Sequence, residues 1–250
     1  QMTFQNRFFP ATMRAKQLID EGFLGRILSF RASYLHAGSV DPQKPISWKL
    51  SAHAGGGVIA DLASHVLDLL NWLLGGFQEI FAHTQIAHAE RPESAGSSTM
   101  VPVEAEDHVL ITAIMQNGAQ GHIEASKIAT GTEDELRFEI HGTGGALRFN
   151  MMAPHYLDFY DTSSASSPYG GTQGWTRIHC GQRYPSPGGF PTPKASIGWL
   201  RAHAASVYNF LQSIAHNTAT DPGLAQGVYV QKLIETIRKS AQGRTWEKVR

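Results

Sequence analysis

The sequence predicts an α+β fold with a mostly antiparallel sheet. Strand-like alternation recurs in consecutive segments between residues 106 and 161, and helical patterns lie before and after these segments. The sequence contains no Gly-x-Gly-x-x-Gly and no Gly-x-x-x-x-Gly-Lys-Ser/Thr, the motifs that open nucleotide-binding units. With 250 residues and 42% hydrophobic side chains, the chain can bury the core of one large or two small domains.

The first elements are a helix, a strand and a loop. Residues 11–21 carry apolar side chains at helical spacing, and Gly22 follows as a stop signal. Residues 24–35 alternate in the manner of a strand. Residues 36–48 contain two prolines and predict a loop.

The strongest helical run covers residues 58–74. The triple glycine 55–57 precedes this run, and Gly75-Gly76 ends it. Residues 78–89 then predict a strand, and residues 91–101 predict a polar link rich in Ser, Pro and Gly.

A meander, a long loop and two helices complete the chain. The meander comprises residues 109–116, 121–128, 135–141, 146–149 and 156–160. Asn117-Gly118 is a hairpin signal between its first two strands. Residues 163–194, heavy in Ser, Gly and Pro, predict a loop. The closing helices are expected at about residues 199–216 and 223–241.

Composition and charge exclude several classes of protein. The 21 basic and 21 acidic residues cancel, which argues against a nucleic-acid binder. A mean hydropathy of −0.23 and the lack of a long apolar run argue against a membrane span. A single cysteine, Cys180, suits a reducing compartment, and residues 1–10 do not resemble a signal peptide, so we expect a cytoplasmic protein. Only 17% of the residues are charged, which suggests that a partner covers part of the surface.

The helix 58–74 carries the best candidate site. Asp61, His65, Asp68 and Trp72 fall on one stripe at about 100° per residue. A solvated helix face is the alternative reading, but such a face usually carries Lys and Glu. Since Asp61, His65 and Asp68 are the only ionisable residues between Gly55 and Gly76, we interpret the stripe as the wall of a semi-buried pocket.

These residue types suit proton transfer from a hydroxyl. Asp61 and His65 stand one turn apart, so the carboxylate can orient the imidazole and favour its proton uptake. An imidazole held in this way can take a proton near neutral pH. Asp68 could accept hydrogen bonds from neighbouring hydroxyls. The triple glycine would let the backbone approach a ligand and leave N–H groups free at the helix start.

Other chemistries have weaker support. Asp61, His65 and Asp68 could together ligate a metal, but no second ligand cluster is evident, and we expect no metal. Ser64 does not lie in a Gly-x-Ser-x-Gly elbow, and we interpret Cys180 as an incidental thiol.

Three stretches resemble the C-terminal, substrate-binding part of the Gfo/Idh/MocA oxidoreductases. They are Phe4-Gln5-Asn6-Arg7-Phe8-Phe9-Pro10 with the following helix and Leu24-Gly25-Arg26-Ile27; Trp48 with Gly55-Gly56-Gly57-Val58-Ile59-Ala60-Asp61-Leu62-Ala63-Ser64-His65-Val66-Leu67-Asp68; and Gly142-Thr143-Gly144-Gly145-Ala146-Leu147 with the closing helices. Ala63 stands where the family commonly has glycine. The resemblance implies an open sheet with helices packed on one face.

The resemblance also implies site residues. Asp61 and His65 match the family's Asp-x-x-x-His catalytic pair, in which the histidine exchanges the proton of the reacting hydroxyl while hydride passes to the nicotinamide. Asp68 and Arg7 would contact the substrate, a sugar, polyol or related hydroxy compound. Trp48 is a further candidate contact.

Family members resemble two-domain proteins, and this chain matches only the second half. Residues 1–250 would form the substrate-binding domain, and neither the nucleotide-binding glycines nor the Glu-Lys-Pro motif has a counterpart in the sequence. The complete protein would use NAD or NADP, whereas this chain alone would bind neither and be inactive. A fragment and a natural stand-alone domain both remain open. The open sheet would pack against another subunit in a homo-oligomer.

A second hypothesis belongs to another class of function. The chain could be a non-catalytic carbohydrate-binding or oligomerisation module that uses Asp68, Arg7 and Trp48 as ligand contacts. Binding of a polyol without cofactor would favour this module over the dehydrogenase half.

Overall fold

The computed structural model describes residues 1–189, 192, 194, 196 and 198–249. The helices are α1 (Pro10–Asp20), α2 (Ser64–Leu74), α3 (Trp199–His216) and α4 (Leu224–Gly243). The strands are β1 (Ile27–Leu35), β2 (Phe77–Gln85), β3 (Glu90–Pro92), β4 (Met100–Pro102), β5 (His108–Met115), β6 (Gln120–Ser126), β7 (Glu135–Gly142), β8 (Gly145–Asn150), β9 (Tyr156–Asp161), β10 (Trp175–His179) and β11 (Glu247–Lys248). No helix among the described residues combines the length and the apolar character that a bilayer crossing requires.

One large sheet organises the chain. Its nine strands run in the order β10-β9-β8-β7-β1-β6-β5-β2-β11, and β3 pairs with β4 in a separate hairpin. Every pair in the large sheet is antiparallel except β1 with β6, which run parallel. The predicted α+β class with a mostly antiparallel sheet is therefore confirmed.

Alternation along each strand separates a buried face from an exposed one. In β5, Val109, Ile111, Ala113 and Met115 are buried, whereas Leu110 is exposed between them. Helices α1, α2 and α4 contribute to the same apolar cluster as these strand residues. These three helices therefore share one core with the buried face of the sheet. Helix α3 adds Ala202 to this core and packs on a 3-10 turn, Gln5–Phe8.

The structure corrects the sequence prediction at three places. The polar link 91–101 contributes to the β3–β4 hairpin, and the loop 163–194 contains strand β10, which pairs with β9. Residues 190, 191 and 193 of that loop lie outside the described residues. The helix 58–74 is not uniform, because a π-helical turn, Ile59–Ala63, precedes α2. Strand β10 depends on its pairing with β9, which the composition of the loop does not report.

Candidate active site

A cavity of about 600 Å³ opens beside the π-helical turn. The end of β1, the loop after it, the turn Trp48–Leu50 and the first residues of α3 surround it. Its polar lining side chains are those of Thr3, Gln5, Tyr34, His36, Ser39, Lys44, Ser47, Lys49, Asp61, His65, Lys127, Asp134, Trp199 and His203. Both members of the predicted catalytic pair, Asp61 and His65, therefore face the same space.

The strand register brings the lining residues together. The parallel pairing of β1 with β6 sets Leu35 opposite Ser126, so Lys127 follows beside His36. The antiparallel pairing of β1 with β7 sets Leu35 opposite Glu135, so Asp134 precedes at the same level. Three strand ends thus meet at one edge of the cavity.

Asp61 bonds to two lysines rather than to His65. The Lys49 ammonium donates to both carboxylate oxygens at 3.0 and 3.2 Å, and the Lys127 ammonium lies 3.1 Å from Oδ2. Burial opposes ionisation of Asp61, but the charges of Lys127 and Lys49 and the hydrogen bonds from them outweigh it and lower the pKa. The carboxylate is consequently ionised at neutral pH, and it does not orient the imidazole by a hydrogen bond as the helical spacing predicted.

His65 is a buried imidazole without a hydrogen-bond partner at Nδ1. The rings of Phe4 and Tyr34 lie edge-on to it, each with its centroid 6.0 Å away. Burial lowers the pKa of His65, although the charges of Asp61 and Asp134 act in the opposite direction. Asp61 favours proton uptake by His65 as expected, but desolvation of the imidazolium exceeds the attraction of the carboxylates, so the net change is a lower pKa. His65 is therefore neutral at pH 7.

Sequence reasoning missed a second polar network in the cavity. Asp134 lies 2.7 Å (Oδ1) from Nε2 of His36 and also bonds to the Tyr34 hydroxyl. The hydrogen bond from His36 lowers the pKa of Asp134, while burial raises the pKa of Tyr34. Tyr34 and His36 stand two positions apart at the end of a strand, which was the signal available for placing them together.

Arg7 and Asp68 lie behind the cavity and contact each other. Two hydrogen bonds join the guanidinium to the carboxylate, from Nε to Oδ2 at 2.7 Å and from Nη2 to Oδ1 at 2.5 Å. The side chains are only 5% and 1% exposed. Burial raises the pKa of Asp68 to about 6, against the lowering effect of Arg7. In this structure, the pair holds the turn Gln5–Phe8 against α2. We predicted that both residues contact the substrate, but neither lines the cavity.

Trp48 stands at the rim of the cavity rather than in its lining. Its side chain is 61% exposed, and the Lys49 ammonium lies 5.8 Å from the ring centroid. Trp72, the fourth member of the predicted stripe, lies under the guanidinium of Arg7 at 5.6 Å. The stripe is therefore divided between the cavity and the buried ion pair.

The triple glycine packs against the chain's own backbone and does not present free N–H groups to a ligand. A Cβ at Gly56 would lie 2.5 Å from the Trp48 carbonyl oxygen, and Gly57 has a φ of +107°. The N–H of Gly57 donates to the Lys49 carbonyl at 2.9 Å, and Glu106 accepts from the Val58 and Ile59 N–H groups. Contrary to expectation, these N–H groups are occupied, and the close approach is to the turn that carries Lys49.

The described residues contain neither the glycine-rich turn of a dinucleotide site nor a clustered metal site. The sequence has no Gly-x-Gly-x-x-Gly, and the sheet contains a single parallel pair. Among the residues described, no three His, Cys, Asp or Glu side chains are placed to hold one metal ion.

Comparison with protein families identifies the chain's relatives. The GFO/IDH/MocA C-terminal domain model matches residues 12–148, which is more than half of the chain. The chain belongs to this family. The matched range includes Asp61, His65, Lys127 and Asp134, so the cavity lies largely within the family domain.

Individual relatives are oxidoreductases longer than this chain. Levoglucosan dehydrogenase of Pseudarthrobacter phenanthrenivorans is 32% identical over 258 aligned residues, which cover 98% of this chain and 65% of that protein. A solved levoglucosan dehydrogenase in complex with NADH and levoglucosan superposes with a TM-score of 0.90 at 33% identity, over 99% of this chain and 65% of that one. The scyllo-inositol 2-dehydrogenase (NAD(+)) of Bacillus subtilis is 26% identical over 66% of this chain and 44% of its own length. The chain thus spans just under two thirds of the levoglucosan dehydrogenase that it matches.

Proposed function

We propose that this chain is the substrate-binding half of an NAD(P)-dependent oxidoreductase. The reaction transfers hydride between a sugar, polyol or related hydroxy compound and a nicotinamide cofactor. The observation that carries the proposal is the neutral, unpaired imidazole of His65 in a polar cavity beside an ionised carboxylate. The family relationship and the dehydrogenase relatives support it.

His65 acts as the proton acceptor. Oxidation of an alcohol releases the hydroxyl proton as hydride leaves the carbon, and a neutral imidazole can take that proton. The imidazolium that forms is stabilised by the charges of Asp61 and Asp134, which already favour the protonated form. Asp61 contributes through its charge, since its hydrogen bonds go to Lys49 and its ion pairs to both lysines.

NAD or NADP, when bound to the complete protein, supplies the hydride acceptor. In our proposal, residues 1–250 form the substrate-binding domain, and a dinucleotide-binding domain outside this chain completes the site. This chain by itself neither binds NAD(P)H nor turns over substrate.

We propose the exposed sheet face as the contact between subunits of a homo-oligomer. Ion pairs cross this face: Arg31 with Glu139 at 3.4 Å, and Arg148 and Arg177 with Asp158 at 3.1 and 2.8 Å. The two guanidinium groups that share Asp158 remain half exposed and can bond to a partner. Light scattering of Arg148→Glu is expected to show a smaller particle than the wild type; an unchanged mass would reject this contact. A cytoplasmic location stays a prediction.

The test of the proposed activity is a screen of the full-length protein with NAD⁺ and NADP⁺. The panel comprises levoglucosan, L-sorbose, D-xylose and scyllo-inositol, chosen from the relatives. We expect cofactor reduction with at least one compound. No reduction with any compound, together with calorimetric binding of a panel member to this chain without cofactor, would favour the binding module instead.

A further inference from the structure

We propose that Lys127 binds the substrate directly and determines which hydroxyl compound the site accepts. Its ammonium donates a hydrogen bond to an oxygen of the bound sugar or polyol. This inference rests on the proposed function, because it assumes a hydroxylated ligand in the cavity beside His65.

The ammonium of Lys127 is buried, and Asp61 is the one acceptor beside it among the described residues. The side chain is only 8% exposed, and Asp61 Oδ2 lies 3.1 Å from Nζ and balances the charge. An ammonium has three N–H groups, so the described residues leave at least two of them without an acceptor. A buried donor without an acceptor destabilises the fold, so such groups are commonly completed by water or a ligand.

The missing acceptor has to come from the cavity. Lys127 lines it, together with Asp61 and His65. The backbone of Lys127 is fixed on both sides, because its N–H donates to the Asp107 carbonyl and its own carbonyl accepts from the Ser39 N–H, each at 2.8 Å. The backbone that carries the lysine is therefore fixed before any ligand binds, which limits the ordering that binding requires.

The contacted oxygen belongs to the same small molecule as the reacting hydroxyl. Asp61 touches Lys127 and precedes His65 by four residues on the same continuous helix. A ligand hydroxyl near the reacting one can reach the ammonium while the reacting hydroxyl faces the imidazole. The contact thereby selects for an acceptor oxygen at that position of the ring.

Lys49 offers a matched comparison. It carries the same charge and binds the same carboxylate, but its side chain is 49% exposed and its ammonium makes two hydrogen bonds to Asp61. Each single lysine variant leaves Asp61 one cation. A difference between the two variants therefore reports the substrate contact and not the ion pair.

The experiment is a coupling cycle in the full-length protein. The panel compound with the highest kcat/KM, and analogues of it that each lack one hydroxyl, are tested on wild type, K127M and K49M. For wild type, one deoxy analogue is expected to lose kcat/KM by about 10- to 100-fold, as for a hydrogen bond to a charged group. K127M is expected to raise KM for the parent compound and to abolish that discrimination, whereas K49M retains the discrimination.

The outcomes separate this inference from the proposed function. If K127M keeps the wild-type discrimination, the inference is wrong and the oxidoreductase proposal stands. If wild type reduces neither cofactor with any panel compound, the proposed function fails and the inference fails with it. K127L, which like K127M has neither donor nor charge but differs in shape, is tested in parallel by circular dichroism and kinetics, and undiminished discrimination in the better folded variant overturns the contact.

Discussion

The guanidinium of Arg7 and the carboxylate of Asp68 neutralise each other inside the fold. Their two hydrogen bonds join a turn near the chain start to the middle of α2, across 61 residues of sequence. Since Asp61 and His65 lie at the start of the same continuous helix, this ion pair holds in place the element that carries the candidate catalytic groups.

Removing one partner of this ion pair should lower the free energy of unfolding more than the replacement of both partners by apolar side chains. Arg7→Met leaves Asp68 buried without its partner, and we expect a loss of about 3–5 kcal/mol in the free energy of unfolding. The double variant Arg7→Met/Asp68→Leu replaces both charges and should lose less than the sum of the single variants. Urea unfolding measures all three, and additive losses would contradict the buried pair.

The low pKa of His65 predicts a pH-dependent stability. Below pH 6.5, the ordinary pKa of histidine, His65 is protonated in the unfolded chain but is still neutral in the folded chain. The free energy of unfolding should therefore fall as the pH drops below 6.5, by at most about 1.4 kcal/mol per pH unit for this group. His65→Gln should show a shallower fall in urea titrations between about pH 7.5 and 5.5. Equal slopes would contradict the assigned direction.

Arg91 should hold in place the loop 36–48, which lines one side of the cavity. It is fully buried, and its guanidinium donates to the carbonyls of Ser39, Asp41 and Lys44 at 2.6–3.3 Å. Arg91→Met removes these hydrogen bonds, and we expect cleavage of the loop in limited proteolysis to accelerate about tenfold. The control is Arg244→Met at the exposed end of α4. Equal cleavage rates in both variants would exclude this role.

Gly56 should tolerate no side chain. An added Cβ would meet the backbone of Trp48 and Lys49 at 2.5–2.6 Å and displace the turn that presents Lys49 to Asp61. Gly56→Ala is expected to cost about 1–3 kcal/mol in stability. Gly174→Ala, where nothing lies within 4 Å, is the control. Calorimetric melting compares the two, and a Gly56→Ala protein that melts like the control would contradict the close approach.

Local patterns predicted the elements better than they predicted the site. Alternation located the meander, and helical spacing located α3 at its observed bounds. Lys127 and Asp134 were missed because they meet His36 only through the register of β1 with β6 and β7, which no local pattern encodes. The spacing of Asp61 and His65 placed both at the cavity, but it could not show that lysines from two other segments bind the carboxylate.

The most direct test of the proposed role of His65 is kcat in the full-length His65→Gln protein, measured with the best substrate of the panel. Loss of a positioned base should lower kcat by about 10²- to 10⁴-fold. His216→Gln, an exposed histidine on α3, should match wild type and controls for the substitution. A His65→Gln protein with kcat within about threefold of wild type would contradict proton acceptance by His65.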